Sequence, residues 1–200
     1  MPKPHKRPSQ NRARFTVEAI YDAYVRIWRR EGQTAVTTRA VAEEAGFAVG
    51  TLYEYFPNKT ALHSGYVRFT IDWLLARIDR DVIAASFPTW RHGVHRLVGI
   101  TCGHEPDQPY FDMDMLDLVN AVAEPWHHTR VFEELAEKWS AAIHGWADIP
   151  RSPTDETIEA LVIAVWGARR YALLVDPDNE RISGWTEQLT RLCLLTLEPD

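Results

Sequence analysis

Apolar residues recur along this chain at helical spacing, and nowhere do they alternate with the period of two that marks a strand. Ile20, Ala23, Tyr24, Ile27 and Trp28 draw one stripe, which predicts a helix from about Phe15 to Gly32, a plausible C′ residue. Thr37 is placed to cap a short second helix with Val41, Ala42 and Ala45 facing inward. Gly46 supplies the left-handed conformation of a tight turn. Phe47 then turns inward, and Val49 to Phe56 predicts a third short helix with Leu52 and Phe56 on its buried side. Asn58 caps a long helix to about Ala85. Its apolar positions form two stripes, Leu62, Tyr66, Phe69, Trp73 and Val67, Ile71, Leu74, Ile78, Val82, so it is covered on two sides.

The remaining chain continues as helices. Trp90 to about Cys102 carries Val94, Leu97, Val98 and Thr101 on one face, and Pro106 and Pro109 bracket a break. Met113 to Ala123 predicts a short helix stopped near Pro125, and Thr129 to Ala147 a longer one with Phe132, Leu135, Ala136, Trp139, Ile143 and Trp146 in register. Ser152-Pro153-Thr154-Asp155 has the form of a capping box with proline at the first helical position, opening a helix to about Val175. A last helix carries Ile182, Trp185, Leu189 and Leu192. The expected fold is all-α, about nine helices, with an N-terminal three-helix helix-turn-helix unit at 15–60 and a larger helical unit at 61–200. Residues 1–14, rich in Pro, Lys and Arg and without periodicity, are expected to form a flexible basic arm.

Composition changes little in this picture: 200 residues, 46% hydrophobic and 25% charged, make an ordinary globular chain. The basic N-terminus has no apolar segment of a secretory signal behind it, and the run from Ala160 to Ala168 falls short of the ~20 residues that span a bilayer, so no membrane association is expected. Cys102 and Cys193 are the two cysteines and form no CxxC pair. Disulfide frameworks and zinc ribbons are therefore not indicated, and a cytoplasmic location fits.

Charge is more informative. Residues 1–60 hold ten Lys/Arg against six acids, a net +4, while the rest of the chain carries −10. A basic front on an acidic body suits a polyanionic partner at one end. The segment TTRAVAEEAGFAVGTLYEYFPNK, Thr37 to Lys59, supplies the rest of a DNA reader. Its outward positions include Val49, Gly50, Thr51, Tyr53 and Tyr55. Gly50 admits close approach of the backbone, and three hydroxyls in five residues suit phosphate oxygens.

This segment resembles the DNA-binding domain of the TetR family of transcriptional regulators, whose usual form is close to T-x-x-x-IA-x-x-AGVS-x-GTLY-x-YF-x-x-K. The likeness runs from about Ile20 to Leu62, with the A-G, G-T-L-Y, Y-F and K elements at their usual spacing. The resemblance implies phosphate contacts from Thr38, Thr51, Tyr53, Tyr55 and Lys59, and base-edge contacts from Arg39 and Val49. Arg39 is the stronger reader, because a guanidinium can bond guanine O6 and N7 together. Ala48 stands where the family commonly has Ser, so that helix lacks a side-chain cap.

The helix from Ser152 is apolar nearly all round between Ala160 and Ala168, which requires cover on both sides. A second subunit can provide it. The resemblance implies the same: a homodimer through helices at about 154–175 and 182–197, binding a roughly palindromic double-stranded DNA operator. The expected function is that of a TetR-like regulator, a repressor by family habit, released by a small apolar or aromatic effector. Trp73, Tyr110, Phe111, Trp126, Trp139 and Trp166 are candidate pocket residues, although aromatic stripes at this spacing also simply fill cores. His92 and His95 lie one turn apart, with Cys102, His104 and His127-His128 elsewhere, but neither HExxH nor CxxC is present and no metal or cofactor is expected. No GxSxG elbow, P-loop or GxGxxG occurs, so no catalytic residues are assigned and the chain is not read as an enzyme. The alternative is an all-helical small-molecule-binding or interaction protein with a vestigial reader.

Overall fold

The computed structural model describes residues 8–103, 105–176 and 180–198. Among these residues there are helices and connecting turns but no strand, and the chain divides into two compact units, Met1–Arg68 and Phe69–Asp200. The division falls inside the fourth helix, eight residues beyond the boundary expected at 60/61.

The first unit holds α1 (Pro8–Glu31), α2 (Thr38–Ala45), α3 (Val49–Tyr55) and the start of α4 (Lys59–Ile78). α1 begins seven residues before the expected Phe15, so 8–14 are helical rather than part of an arm, while residues 1–7 lie outside the described residues. Nothing between Pro8 and Phe15 breaks a helix, proline is tolerated in a first turn, and the Thr16 hydroxyl donates to the Arg12 carbonyl at 3.0 Å along the same helix. The stripe read from the sequence is the core: Ile20, Ala23, Tyr24, Ile27 and Trp28 are all buried.

Aromatic packing and one polar pair fix α1 against the first turns of α4. The Tyr24 hydroxyl lies 2.7 Å from His63 Nδ1, and the His63 ring stacks on Trp28. Tyr21 packs against Phe56 and Tyr66 with ring centroids 5.5 and 5.6 Å away. Gly65 makes this fit possible. A Cβ there would stand 2.7 Å from the Tyr21 hydroxyl and 2.9 Å from the Phe56 ring.

The second unit contains the rest of α4, α5 (Trp90–Cys102), α6 (Met113–Val122), α7 (Pro125–Gly145), α8 (Asp155–Val175) and α9 (Ile182–Leu197). Its core gathers Ile71, Leu74 and Ile78 from α4 with Val94, Leu97 and Val98 from α5, Leu135, Trp139 and Ile143 from α7, and Ile158, Val162 and Val165 from α8. Two polar devices are built into it. Trp139 Nε1 donates to the Thr101 hydroxyl at 3.2 Å, and that hydroxyl donates to the Leu97 carbonyl at 2.8 Å, so neither group is buried unpaired. The Asp148 carboxylate accepts the Trp90 N–H at 3.0 Å and caps α5.

Three boundaries differ from expectation for identifiable reasons. α4 stops at Ile78 and continues as a π turn over Asp79–Ile83, where ion pairs hold the acids: Lys138 with Asp79, and Arg77 and Arg96 with Asp81. Arg77 and Arg96 also grip Glu105, which is almost fully buried, and tie this turn to the loop after α5. α7 starts at Pro125, which opens the helix rather than ending the one before; the Glu124 N–H donates to His127 Nδ1 at 3.0 Å. α8 is capped by Thr154, not Ser152, with the Thr154 hydroxyl accepting the Thr157 N–H at 3.3 Å. No described helix is long and apolar enough to cross a membrane.

Gly65→Ala sets two terms against each other: helix propensity favours Ala by ~1 kcal/mol, whereas overpacking costs about 1–3 kcal/mol. Since both near atoms belong to rings held by other aromatics, the overlap is expected to win. Urea denaturation followed by NMR signals of the first unit should show a lower midpoint for the variant; an unchanged or higher one would mean that Tyr21 and Phe56 move aside freely.

Candidate nucleic-acid interface

α2 and α3 are short, so their ends are specified residue by residue. The Thr37 hydroxyl accepts the Ala40 N–H at 3.0 Å, and Gly46 closes α2 at φ +76°, its N–H returning to the Glu43 carbonyl at 3.1 Å. Two residues later Ala48 stands at the start of α3 in extended conformation with no side-chain cap. Leu52 and Phe56 turn inward and are buried, while Phe47, expected to face inward, is half-buried. Asn58 Oδ1 accepts the Ala61 N–H at 2.8 Å and caps α4, as read from the sequence. Arg26 and Arg30 of α1 reach Glu44 at 2.8 and 3.2 Å, clamping α2 onto α1. Those side-chain hydrogen bonds hold the Glu44 carboxyl below its ordinary range.

The expected DNA-facing residues occupy the outer side of this hairpin, in three states of readiness. Gly50 is exposed and a Cβ added there would meet nothing within 4 Å, while Val49, Thr51 and Tyr55 are half-buried. Thr38 and Tyr53 join across α2 and α3, their hydroxyls 3.1 Å apart, so two of the expected phosphate ligands are already oriented by each other. Arg39 lies along α2 with Nε 2.9 Å from Glu43 Oε1, both side chains largely exposed. An exposed pair of this kind contributes about 0.5 kcal/mol or less, and a bidentate contact to guanine about 1–3, so Glu43 parks the guanidinium without locking it.

Lys59 is more constrained. Its Nζ donates to the Gln33 carbonyl at 2.7 Å, tying α4 to the loop before α2, and partial burial pushes its pKa down from the ordinary lysine value. Two N–H donors of the ammonium are left over from that bond. Glu43 could have been found from its i,i+4 spacing to Arg39, but the Gln33 carbonyl had no signal, being a backbone atom of an irregular loop.

The six aromatic candidates in the second unit differ in burial. Trp139 is buried in the core; Trp126 is 57% exposed and stacks on His127. Trp73 and Trp166 are half-buried against the core, Tyr110 donates to Asp112 at 2.8 Å, and Phe111 is half-buried. A groove of about 370 Å³ runs between α8 and α9, lined by Ala172, Val175, Ile182, Trp185 and Leu189 among others, with Arg169 at its edge. Among the described residues no group of three His, Cys, Asp or Glu is arranged to hold a metal ion.

A short capped helix, a left-handed glycine turn and a second helix with an outward glycine and tyrosines, backed by a buried aromatic core, define a helix-turn-helix domain. Residues 20–64 match the family described as bacterial regulatory proteins, tetR family, so this domain is of the tetR type. The HTH-type transcriptional repressor KstR of Mycolicibacterium smegmatis is 42% identical over 72 residues, which cover 36% of this chain and 35% of that protein. KstR of Mycobacterium tuberculosis is 40% identical over 72 residues, 36% of this chain and 33% of its own. The match thus spans about a third of the length of these curated relatives. A TetR-family regulator from Streptomyces coelicolor shares the fold at a TM-score of 0.62 and 20% identity, over 92% of this chain and 99% of its own. A transcriptional regulator from Rhodococcus sp. Rha1 does so at 0.64 and 17%, over 90% and 93%.

Restoring the absent cap offers a direct check of local geometry. Ala48 already has the backbone conformation of an N-cap (φ −63°, ψ 144°), so Ala48→Ser is expected to stabilise the first unit by about 0.5–1 kcal/mol. Thermal unfolding of the two proteins reads this out as a higher midpoint for the variant.

Proposed function

We propose that this protein is a transcriptional repressor that binds a palindromic DNA operator as a homodimer and is released by a small molecule. The observation that carries the DNA-binding half is the outward face of α2 and α3, where Arg39, Gly50 and the paired Thr38 and Tyr53 stand on a hairpin held by Glu44 and the Tyr24–His63 core. Arg39 reads a base edge, Val49 offers apolar contact, and Thr38, Thr51, Tyr53, Tyr55 and Lys59 anchor phosphates. The KstR relatives are transcriptional repressors.

Support for the dimer comes from α8 and α9. Ile163, Tyr171, Leu174, Val175, Leu192 and Leu195 are each 42–64% exposed, and all lie on these two helices. A patch of large apolar side chains on this scale marks an interaction surface, and a second copy of the same two helices would complete a four-helix bundle. α4 has residues in both units, up to Arg68 in the first and from Phe69 in the second, and serves as the route from effector to reader.

Operator binding should fall with salt at a log-log slope of about −4 to −8, the result of neutralising four to eight phosphates per dimer. Arg39→Ala should cost roughly 1–3 kcal/mol on the preferred sequence and relax its preference, whereas Lys59→Ala should weaken all sequences alike and flatten the slope by about 1. Fluorescence anisotropy on the DNA flanking its own gene measures both; a salt-insensitive or absent signal favours a binding protein with a vestigial reader. Ile163→Glu should convert a dimer into a monomer in sedimentation equilibrium and abolish tight operator binding; a dimer surviving this charge would place the interface elsewhere.

A further inference from the structure

The two glutamates of α2 are neighbours in sequence with opposite duties. Glu44 is turned to α1, where Arg26 and Arg30 hold its carboxylate at 2.8 and 3.2 Å. Arg30 also bonds Glu31 at 2.7 Å, so both α1 cations are committed on that side. Glu43 stands in the open, and its ion-pair partner is Arg39, one helical turn earlier on the same exposed face. No packing requires this pair, since both side chains are largely in solvent and the helix is already fixed by the Thr37 cap and by Glu44.

The atoms that join the two residues decide what the pair can do. The bond runs from Arg39 Nε, the inner nitrogen of the guanidinium, to Glu43 Oε1 at 2.9 Å. A guanidinium carries five N–H donors in one plane, one on Nε and four on the two terminal nitrogens. Glu43 occupies the inner donor, and among the described residues nothing occupies the terminal ones. Those two nitrogens form the fork that meets guanine O6 and N7 together. A carboxylate on Nε therefore restrains the plane of the guanidinium and leaves its reading edge bare, whereas a carboxylate on the terminal pair would have blocked it.

We infer that Glu43 is a positioning residue for base recognition, holding Arg39 through Nε while the terminal nitrogens bond a guanine. This rests on the proposed reading of Arg39. As an exposed i,i+4 pair it contributes little to the stability of α2. Its effect lies in the number of arrangements from which the fork is recruited, because ordering a long side chain on binding costs affinity that a preset side chain keeps. Glu43 also carries a negative charge toward a polyanion, so it weakens binding to every sequence alike while sharpening the choice among them.

The test separates those two effects with the full chain and fluorescence anisotropy on the DNA flanking its own gene. Each guanine of one half-site is replaced in turn by adenine, and the ratio of affinities is measured. Arg39→Ala is measured first, and the guanine whose replacement it renders silent is the base of Arg39. Glu43→Ala should raise affinity for all sequences but cut the guanine ratio at that base by roughly two- to fivefold. Glu43→Gln removes the same charge yet keeps an acceptor for Nε, so it should raise affinity equally and hold the ratio near the natural value. In the Arg39→Ala background neither change should move any ratio. An unchanged ratio in Glu43→Ala, an equal fall in Glu43→Gln, or a fall that persists without Arg39 would overturn the inference and leave Arg39 as the reader. If Arg39→Ala silences no guanine, or no DNA is bound, the reading of Arg39 itself fails and takes this inference with it.

Discussion

The hairpin of α2 and α3 depends on the packing of α1 against the first turns of α4. Helices of seven and eight residues cannot hold themselves together in water, because the cost of nucleating each is not recovered over two turns. α2 and α3 therefore borrow their order. Leu52 and Phe56 are buried, with Phe56 packed on Tyr21, while Glu44, gripped by Arg26 and Arg30, fastens α2 to α1. The absence of a side-chain cap at Ala48 is tolerable for this reason, since α3 is held by its buried face more than by its end.

The second unit uses polar groups differently. Trp139 and Thr101 satisfy each other inside the core, and Arg77, Arg96, Asp81 and Glu105 form a closed network across the π turn and the loop after α5. Every charge in that network faces an opposite one, which is what a half-buried cluster needs to avoid a desolvation penalty.

Helix order and the buried faces were legible in the sequence wherever the spacing was regular. Ile20 to Trp28, Leu52 with Phe56, and the Thr37, Gly46 and Asn58 terminal signals fell where expected, because each is a local rule acting over one or two turns. Starts and stops set by tertiary partners were not legible. The π turn carries ion pairs to Lys138, 59 residues along the chain, and to Arg96; the start of α7, by contrast, has a local signal in Pro125 and the His127 acceptor three residues after Glu124. Aromatic periodicity does not tell surface from core: Trp139 fills the core and Trp126 is on the surface.

The outward hairpin residues were legible as types but not as states. Sequence pattern gives Arg39 and Lys59 the same positive charge; the structure gives them different freedom. Arg39, largely exposed and lightly held by Glu43, can swing to a base edge at small cost, and a long flexible side chain on a weak tether is suited to discrimination among sequences. Lys59, bonded to the Gln33 carbonyl and partly desolvated, has little room to search. A charge held in place by its own scaffold suits a phosphate, whose position relative to the domain is the same on every duplex. The proposed division between reader and anchor thus rests on how tightly each side chain is tethered, as well as on what its head group can bond.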